Sequence, residues 1–303
     1  MIFTITLNPA ADYYVTVDSF MEGGLNLASE SYLLAGGKGI NVSKVLKNYG
    51  VQSIATGFAG GSNGELIRTT LREYGIIDRF VGIRDNTRLN IKLKTAANET
   101  EITGKAPEIP GESYAEFLKM LSDIGPHDYA VLSGSVPPSL PETVYAEIIQ
   151  KLPRETRVIL DTRGRPFIHA LREGVHLTKP NKKELGEYLG REIHSMDELV
   201  AGARELREMG SENVLVSAGG EAAALVTPRG TWIGETPSGT VVSSAGAGDS
   251  MVAGILYGLS RGLSVEESFA GGIASGSATA FKKDLAELPD MEKLLNRIKI
   301  RRL

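Results

Sequence analysis

A parallel α/β sheet covered on both faces, with a small β appendage, is the architecture this sequence predicts, on two observations. Short β-rich runs alternate with segments of helical period, and two segments interrupt that alternation with a strict period of two. The β-rich runs are Phe3 to Leu7, Ala130 to Leu132, Val158 to Leu160 and Val214 to Ser217. Between them, Val42, Val45, Leu46 and Tyr49 make one helical face closed by Gly50, and Leu66, Ile67, Thr70, Leu71 and Tyr74 make a second closed by Gly75. The C-terminal third reads as helix through Met251 to Leu259, Val265 to Phe281 and Met291 to Ile298.

The interrupting segments are Tyr13 to Asp18 and Leu89 to Lys94, where apolar and polar residues alternate and one face is therefore wet or paired. The second turns at Ala97-Asn98-Glu99 and returns through Glu101 to Thr103 as a hairpin. Residues 11–35 and 86–106 are thus expected to form a discontinuous β lid, with 1–10, 36–85 and 107–303 as the body; the alternative is an edge extension of the main sheet. An alternating sheet on its own would expose an apolar face, so a homodimer joined through the lids is expected.

A chain of 303 residues that is 42% hydrophobic can bury a large core, and its formal charge of -4 gives no net basic field for nucleic acid or an anionic membrane. Any phosphate it binds must be held locally, which points to a small anionic ligand. There is no cysteine, which removes disulfides, thiolate metal sites and thiol nucleophiles together and suits a reducing cytosol. The start Met1-Ile2-Phe3-Thr4-Ile5-Thr6 lacks a signal-peptide pattern, and no stretch approaches the roughly 18 apolar residues of a membrane span. A cytoplasmic location is the expectation. The histidines, His127, His169, His176 and His194, show no metal-ligand spacing.

Three motifs carry chemistry. Ser244-Ala245-Gly246-Ala247-Gly248-Asp249-Ser250 precedes a helical apolar face. Its glycines leave backbone N–H groups uncovered at a helix N-terminus, a site for an anion or for a transferring phosphoryl group. Asp249 in the first turn could accept the proton of an attacking hydroxyl, although the same residues would also make an ordinary helix start. Ala35-Gly36-Gly37-Lys38-Gly39-Ile40-Asn41 allows close backbone approach to a ligand, or else makes a tight strand-to-helix turn. It is not a Walker A loop, since Gly39 follows the Gly-Lys pair, nor a dinucleotide fingerprint, since Val42 stands where glycine would be needed. In Lys179-Pro180-Asn181-Lys182-Lys183-Glu184, Asn181 and Glu184 could orient Mg²⁺ or its waters, or could form a helix-capping pair.

Taken in this order, the glycine motif, the Asn-x-x-Glu and the Gly-Ala-Gly-Asp resemble the ribokinase-like sugar kinases over essentially the whole chain. Thr6-Leu7-Asn8-Pro9-Ala10-Ala11-Asp12, Thr87-Arg88-Leu89-Asn90 and Ser133-Gly134-Ser135-Val136-Pro137-Pro138 are similar to the phosphofructokinase-B branch. Within it the closest likeness is to 1-phosphofructokinases, with tagatose-6-phosphate kinases next. The resemblance implies a three-layer α/β/α body with a mostly parallel sheet and a β lid, and ATP-dependent phosphorylation of a sugar phosphate. Fructose 1-phosphate would give fructose 1,6-bisphosphate; the alternative is tagatose 6-phosphate giving tagatose 1,6-bisphosphate. By similarity Asp12, Asn41, Gly36, Gly37 and Ser133 would bind the sugar, and Lys38 and Arg88 its existing phosphate. Asp249 would be the base, and the Gly246-Ala247-Gly248 amides the anion hole. Lys179, Asn181 and Glu184 would serve the nucleotide phosphates and Mg²⁺, and Ser217, Gly219 and Gly220 the nucleotide shelf. The chain departs from the pattern at Ala245, where the family often has Thr or Val, and on the hairpin's return strand, which has no basic residue before Lys105. A non-catalytic sugar-phosphate sensor on the same fold is the rival reading, and a nicotinamide-dependent dehydrogenase is disfavoured by the missing fingerprint.

Overall fold

The computed structural model describes residues 1–303. The chain begins β1 (Ile2–Thr6), β2 (Ala10–Thr16), β3 (Glu30–Gly36), α1 (Lys38–Asn48), β4 (Ile54–Ala59), α2 (Gly61–Glu73), β5 (Ile77–Gly82), β6 (Arg88–Lys94) and β7 (Glu99–Ile102). It continues α3 (Gly111–Met120), β8 (Tyr129–Ser133), α4 (Val144–Lys151), β9 (Arg157–Asp161), α5 (Arg165–Leu171), β10 (Val175–Thr178), α6 (Lys182–Leu189) and α7 (Met196–Glu208). It ends β11 (Ser211–Ser217), β12 (Ala222–Thr227), β13 (Gly230–Glu235), α8 (Ala247–Ser260), α9 (Val265–Ala280), α10 (Leu288–Leu295) and β14 (Ile300–Arg302).

Ten strands form one sheet in the order β14-β13-β12-β11-β10-β9-β8-β1-β4-β5, parallel from β5 to β11 and antiparallel beyond. The period of two distributes its side chains between two cores. Ala130, Leu132, Val158, Leu160, Val214 and Val216 pack against Phe117, Tyr145, Phe167 and Leu199 of α3, α4, α5 and α7. Tyr129, Val131, Ile159 and Leu215 from the same strands face Val45, Leu256 and Phe269 of α1, α8 and α9. Helices therefore cover both faces, and every parallel strand delivers its C-terminal end to one edge, where loops can gather a site. No helix is long and apolar enough to cross a membrane.

The interrupting segments form a separate four-stranded sheet, β3-β2-β6-β7, so they do not extend the edge of the main one. Its strands lie within 10–16, 30–36, 88–94 and 99–102. The hairpin turn comes earlier than the sequence suggested: Thr95 N donates to Asn98 O at 2.8 Å, and the return strand begins at Glu99. The Thr95 side chain explains the shift, because its Oγ1 accepts from the N–H groups of Ala97 and Asn98 and so nucleates the turn. Tyr74 also leaves the face expected for it. It is the C-cap of α2 and 40% exposed, with the Lys44 ammonium 5.6 Å from its ring centroid.

Candidate active site

Asp249 sits in the first turn of α8, buried to 7% exposure. Gly246, the N-cap, takes φ 76°, a left-handed conformation that favours glycine, and no side chain caps the helix. Ala247 N donates to Ser244 O at 3.3 Å, whereas the Gly248 and Asp249 amides have no acceptor and stand on the wall of an open cleft of ≈1340 Å³ lined by Gly246, Gly248 and Asp249. Asn41, in the first turn of α1, donates Nδ2–H to Asp249 Oδ2 at 2.8 Å, leaving Oδ1 free to take a proton.

Around Asp249 the protein assembles charges that cancel. Asp161, the last residue of β9, accepts from Lys38 Nζ at 2.7 Å and lies 3.5 Å from Lys179 Nζ. Lys179 Nζ also comes within 3.0 Å of where a Cβ on Gly248 would stand, which brings it beside the α8 N-terminus. Two carboxylates and two ammonium groups converge at one edge of the sheet. Burial pushes the Asp161 carboxyl up, but Lys179 and Lys38 outweigh it and hold it below the usual carboxylate range. Lys38 is held above the usual lysine value, because Asp161 and Asp249 overcome its desolvation. For Asp249 the balance goes the other way. Burial first, and then the like charge of Asp161, raise it to about 6 against the pull of Lys38, Asn41 and Lys179. A carboxylate poised near neutral pH suits a general base.

The turn after β10 forms the opposite wall. Asn181 Oδ1 accepts from Glu184 N and Glu184 Oε2 accepts from Asn181 N, both at 2.9 Å, a complete capping box for α6. The two side chains hold each other, and Glu184 Oε1 remains without a partner on the cleft wall. One carboxylate oxygen fits an octahedral Mg²⁺ that keeps most of its waters and takes the rest of its ligands from phosphates. No group of three His, Cys, Asp or Glu side chains stands ready to enclose a metal by itself. Ser217 and Gly219 line the same cleft, whereas the exposed Gly220 and the Ala247 side chain do not.

Toward the lid, Gly36 ends β3 with no room for a side chain, since a Cβ there would stand 2.2 Å from Asp12 Oδ2. Asp12 Oδ1 accepts from Asn90 Nδ2 at 2.8 Å across the paired lid strands. Burial raises the Asp12 carboxyl against the help of Asn90 and Lys92. Gly37 O accepts from Asn41 N at 2.9 Å, so the glycine turn joins the Asp12 end of the site to the Asp249 end.

Lys38 and Arg88 have different partners in the chain: Asp161 draws the Lys38 ammonium into the four-charge cluster on the cleft wall, while Arg88 donates Nη2–H to Asn8 O at 3.2 Å at the root of the lid. Ser133 is fully buried, its Oγ 3.0 Å from where a Cβ on Gly39 would lie, so it supports the glycine turn from beneath and does not open on the cleft. Its Oγ, with Thr6 Oγ1 and Asn8 Oδ1, finds no partner in the protein. Sequence reasoning missed Asp161 and Lys44. The first had a signal, an acid at the C-terminal end of a predicted strand. The second is a buried lysine that donates to Ala35 O at 2.7 Å, pinning the end of lid strand β3 to α1, and burial lowers it to about 8.

Residues 5–291 match the model of the pfkB family carbohydrate kinases. The chain is 44% identical to a 1-phosphofructokinase of Bacillus subtilis, with all of both chains covered. It is 30% identical to a D-tagatose-1-phosphate kinase of Bacillus licheniformis, again over both whole chains. Among solved structures, phosphofructokinase-2 from Escherichia coli in complex with fructose-6-phosphate superposes with a TM-score of 0.90 at 27% identity, over 98% of each chain. The chain belongs to the pfkB family of carbohydrate kinases, and it superposes on the ribokinase of Arabidopsis thaliana with a TM-score of 0.79 at 21% identity, over 97% of this chain and 98% of the other, so its fold is the ribokinase-like one.

Proposed function

We propose that this pfkB-family kinase transfers the γ-phosphoryl group of ATP to the 6-hydroxyl of fructose 1-phosphate, giving fructose 1,6-bisphosphate and ADP. The observation that carries the reading is the Asp249 carboxylate, raised to about 6, held by Asn41 at the uncapped N-terminus of α8. The full-length likeness to 1-phosphofructokinases supplies the acceptor.

The attacking hydroxyl gives its proton to Asp249 as its oxygen bonds to the γ-phosphorus. The bond from that phosphorus to the β–γ bridging oxygen breaks, and ADP leaves with the electron pair. The transition state is loose and needs little help in bond making, so positioning and charge neutralisation supply most of the acceleration. The Gly246–Gly248 amides and Lys179 meet the charge that spreads over the transferring group. Lys38 is better placed beside Asp161 and Lys179, where its charge holds the Asp249 carboxyl down, than on the sugar's phosphate. Glu184 and Asn181 would hold the waters of a bound Mg²⁺, which would supply charge neutralisation at the nucleotide phosphates. Ser217, Gly219 and Gly220 border the nucleotide, and Asp12, Asn41 and the Gly36-Gly37 backbone read the sugar hydroxyls.

The lid face bearing Leu33, Leu89 and Ile102 is suited to pairing with a second copy, so the working enzyme is a homodimer in the cytoplasm. Tagatose 1-phosphate is the second acceptor to consider, because one relative is a D-tagatose-1-phosphate kinase and that sugar carries its phosphate at the same end. Tagatose 6-phosphate and fructose 6-phosphate would have to enter reversed. The test compares kcat/KM for these four sugar phosphates at one ATP concentration. Fructose 1-phosphate is expected to lead by about tenfold or more, the worth of one mismatched, unpaired hydroxyl. A tenfold lead for another sugar would change the acceptor, and turnover no faster than background ATP hydrolysis with all four would favour the sensor reading.

A further inference from the structure

Arg163 lies on the loop after β9, exposed, and takes part in no hydrogen bond or ion pair, whereas nearby Arg165 is bonded to Glu142 at 3.0 Å. Its base is nevertheless rigid. Thr162 Oγ1 donates to Gly134 O at 2.7 Å, and Thr162 O accepts from the hydroxyl of Tyr188 at 2.8 Å. Tyr188 in turn stacks on Phe167 with ring centroids 4.0 Å apart. A cation carried on a fixed loop and left unpaired is set out for something the chain does not contain.

The loops beside it show where that would be. Ser135, next to Gly134, accepts from Asn8 Nδ2 at 3.0 Å, and the Asn8 carbonyl holds the Arg88 guanidinium. The loops after β1, β8 and β9, three adjacent strands, are thus bonded in series with an arginine at each end. Two strand spacings separate the ends by roughly 10 Å, a gap that two arginine side chains can close around one phosphate. The two charges already feel each other, since Arg163 adds to burial in lowering Arg88 while Asp12 and Glu101 on the lid oppose. Asp161, the nearest carboxylate in sequence, is taken by Lys38 and Lys179.

We propose that Arg163 is the second cation for the acceptor's existing phosphate, meeting it from the body while Arg88 meets it from the root of the lid. The loop after β9 is then a specificity determinant that selects a phosphorylated sugar over a free one. This rests on the sugar-phosphate reading above.

Calorimetric titration of the full-length protein and of R163Q, R163K and R88Q tests it with four probes: fructose 1-phosphate, fructose, inorganic phosphate and Mg·ATP. R163Q is expected to weaken fructose 1-phosphate and inorganic phosphate by about tenfold, as loss of a charge-assisted contact does, while fructose and Mg·ATP change less than about twofold. R163K should recover part of the loss, and R88Q should mirror it. Unchanged phosphate binding in R163Q overturns the proposal, as does a loss confined to Mg·ATP. If R163Q and R88Q both weaken inorganic phosphate yet the wild type turns over no sugar phosphate, the arginine pair stands and the acceptor reading falls.

Discussion

At the C-terminal edge of the main sheet the protein buries charge: Asp161 is 3% exposed, Lys179 5% and Asp249 7%. On one face of the lid it exposes hydrocarbon instead. The register puts Tyr13 opposite both Leu33 and Ile91, and Ile91 opposite Ile102, so these residues share a face on which Leu33 is 40% and Ile102 54% exposed. Each region inverts the usual placement of polar and apolar groups, and each is unfavourable in the isolated chain. The difference lies in what would relieve them. Buried charge next to free amides calls for an anion and a proton donor, and an apolar sheet face calls for another apolar face.

The sharpest way to separate the two is through Asp249. Replacing it by Asn should lower kcat at least about a hundredfold, the low end for a lost general base, with ATP affinity nearly intact. The same variant should be the more stable protein at pH 7. The folded pKa of about 6 lies above the ordinary 3.8, so the native state binds the extra proton between those values and loses stability as pH rises through them. Removing the charge recovers up to about 3 kcal/mol, less whatever Lys38 and Lys179 lose with their partner. Thermal melts should show that gain at pH 7 and little of it at pH 4. Near-normal turnover would take Asp249 out of the chemistry, and a melting point lowered at pH 7 would mean its charge is welcome where it is.

The lid is probed by Ile102→Lys, which changes no core contact because the side chain is half exposed. Light scattering should give the wild type twice the chain mass of 32.4 kDa and the variant a single chain at micromolar concentration. Catalytic efficiency toward the sugar phosphate should fall about tenfold as the lid loses its support, with KM for ATP less affected. A monomeric, fully active wild type would sink the dimer and leave the apolar face unexplained.

How far these regions could be read in the sequence differs for a physical reason. Two lid segments are local patterns, visible in the alternation of Tyr13 to Asp18 and of Leu89 to Lys94, so their β character was legible; β2 stops at Thr16, the hairpin turn slipped by Thr95's side-chain bonds, and β3, Glu30–Gly36, carried no such alternation to announce it. The glycine turns and Asp249 were legible too, because a helix start carries its signal within a few residues. The charge cluster was not. Lys38 and Asp161 are 123 residues apart, and a lysine after two glycines reads the same whether it ends on a substrate phosphate or on a carboxylate delivered by another strand. Ser133 shows the converse: a motif can be correctly noticed while its side chain is turned beneath the surface.

That reassignment of Lys38 gives the smallest effect and the most specific one. If Lys38 met the sugar's phosphate, Lys38→Met would chiefly raise KM for the sugar phosphate. Its place in the cluster predicts something else, because Lys38 is among the groups that pull the Asp249 pKa down against burial and Asp161. Without its charge, Asp249 should hold its proton more tightly, and the acid limb of the kcat/KM profile for the sugar phosphate should move up from about 6 by on the order of one unit. The sign is fixed: Asp249 works as the carboxylate, so activity is lost as pH falls through its pKa, and a higher pKa means loss at a higher pH. Asp161 will also protonate more readily once it keeps only Lys179, which removes part of the like charge and trims the shift without reversing it. Lys38→Arg should leave the limb near its wild-type position, since the charge remains. A limb that stays put in Lys38→Met while KM for the sugar phosphate rises tenfold would return Lys38 to the phosphate and break the link between the cluster and the base.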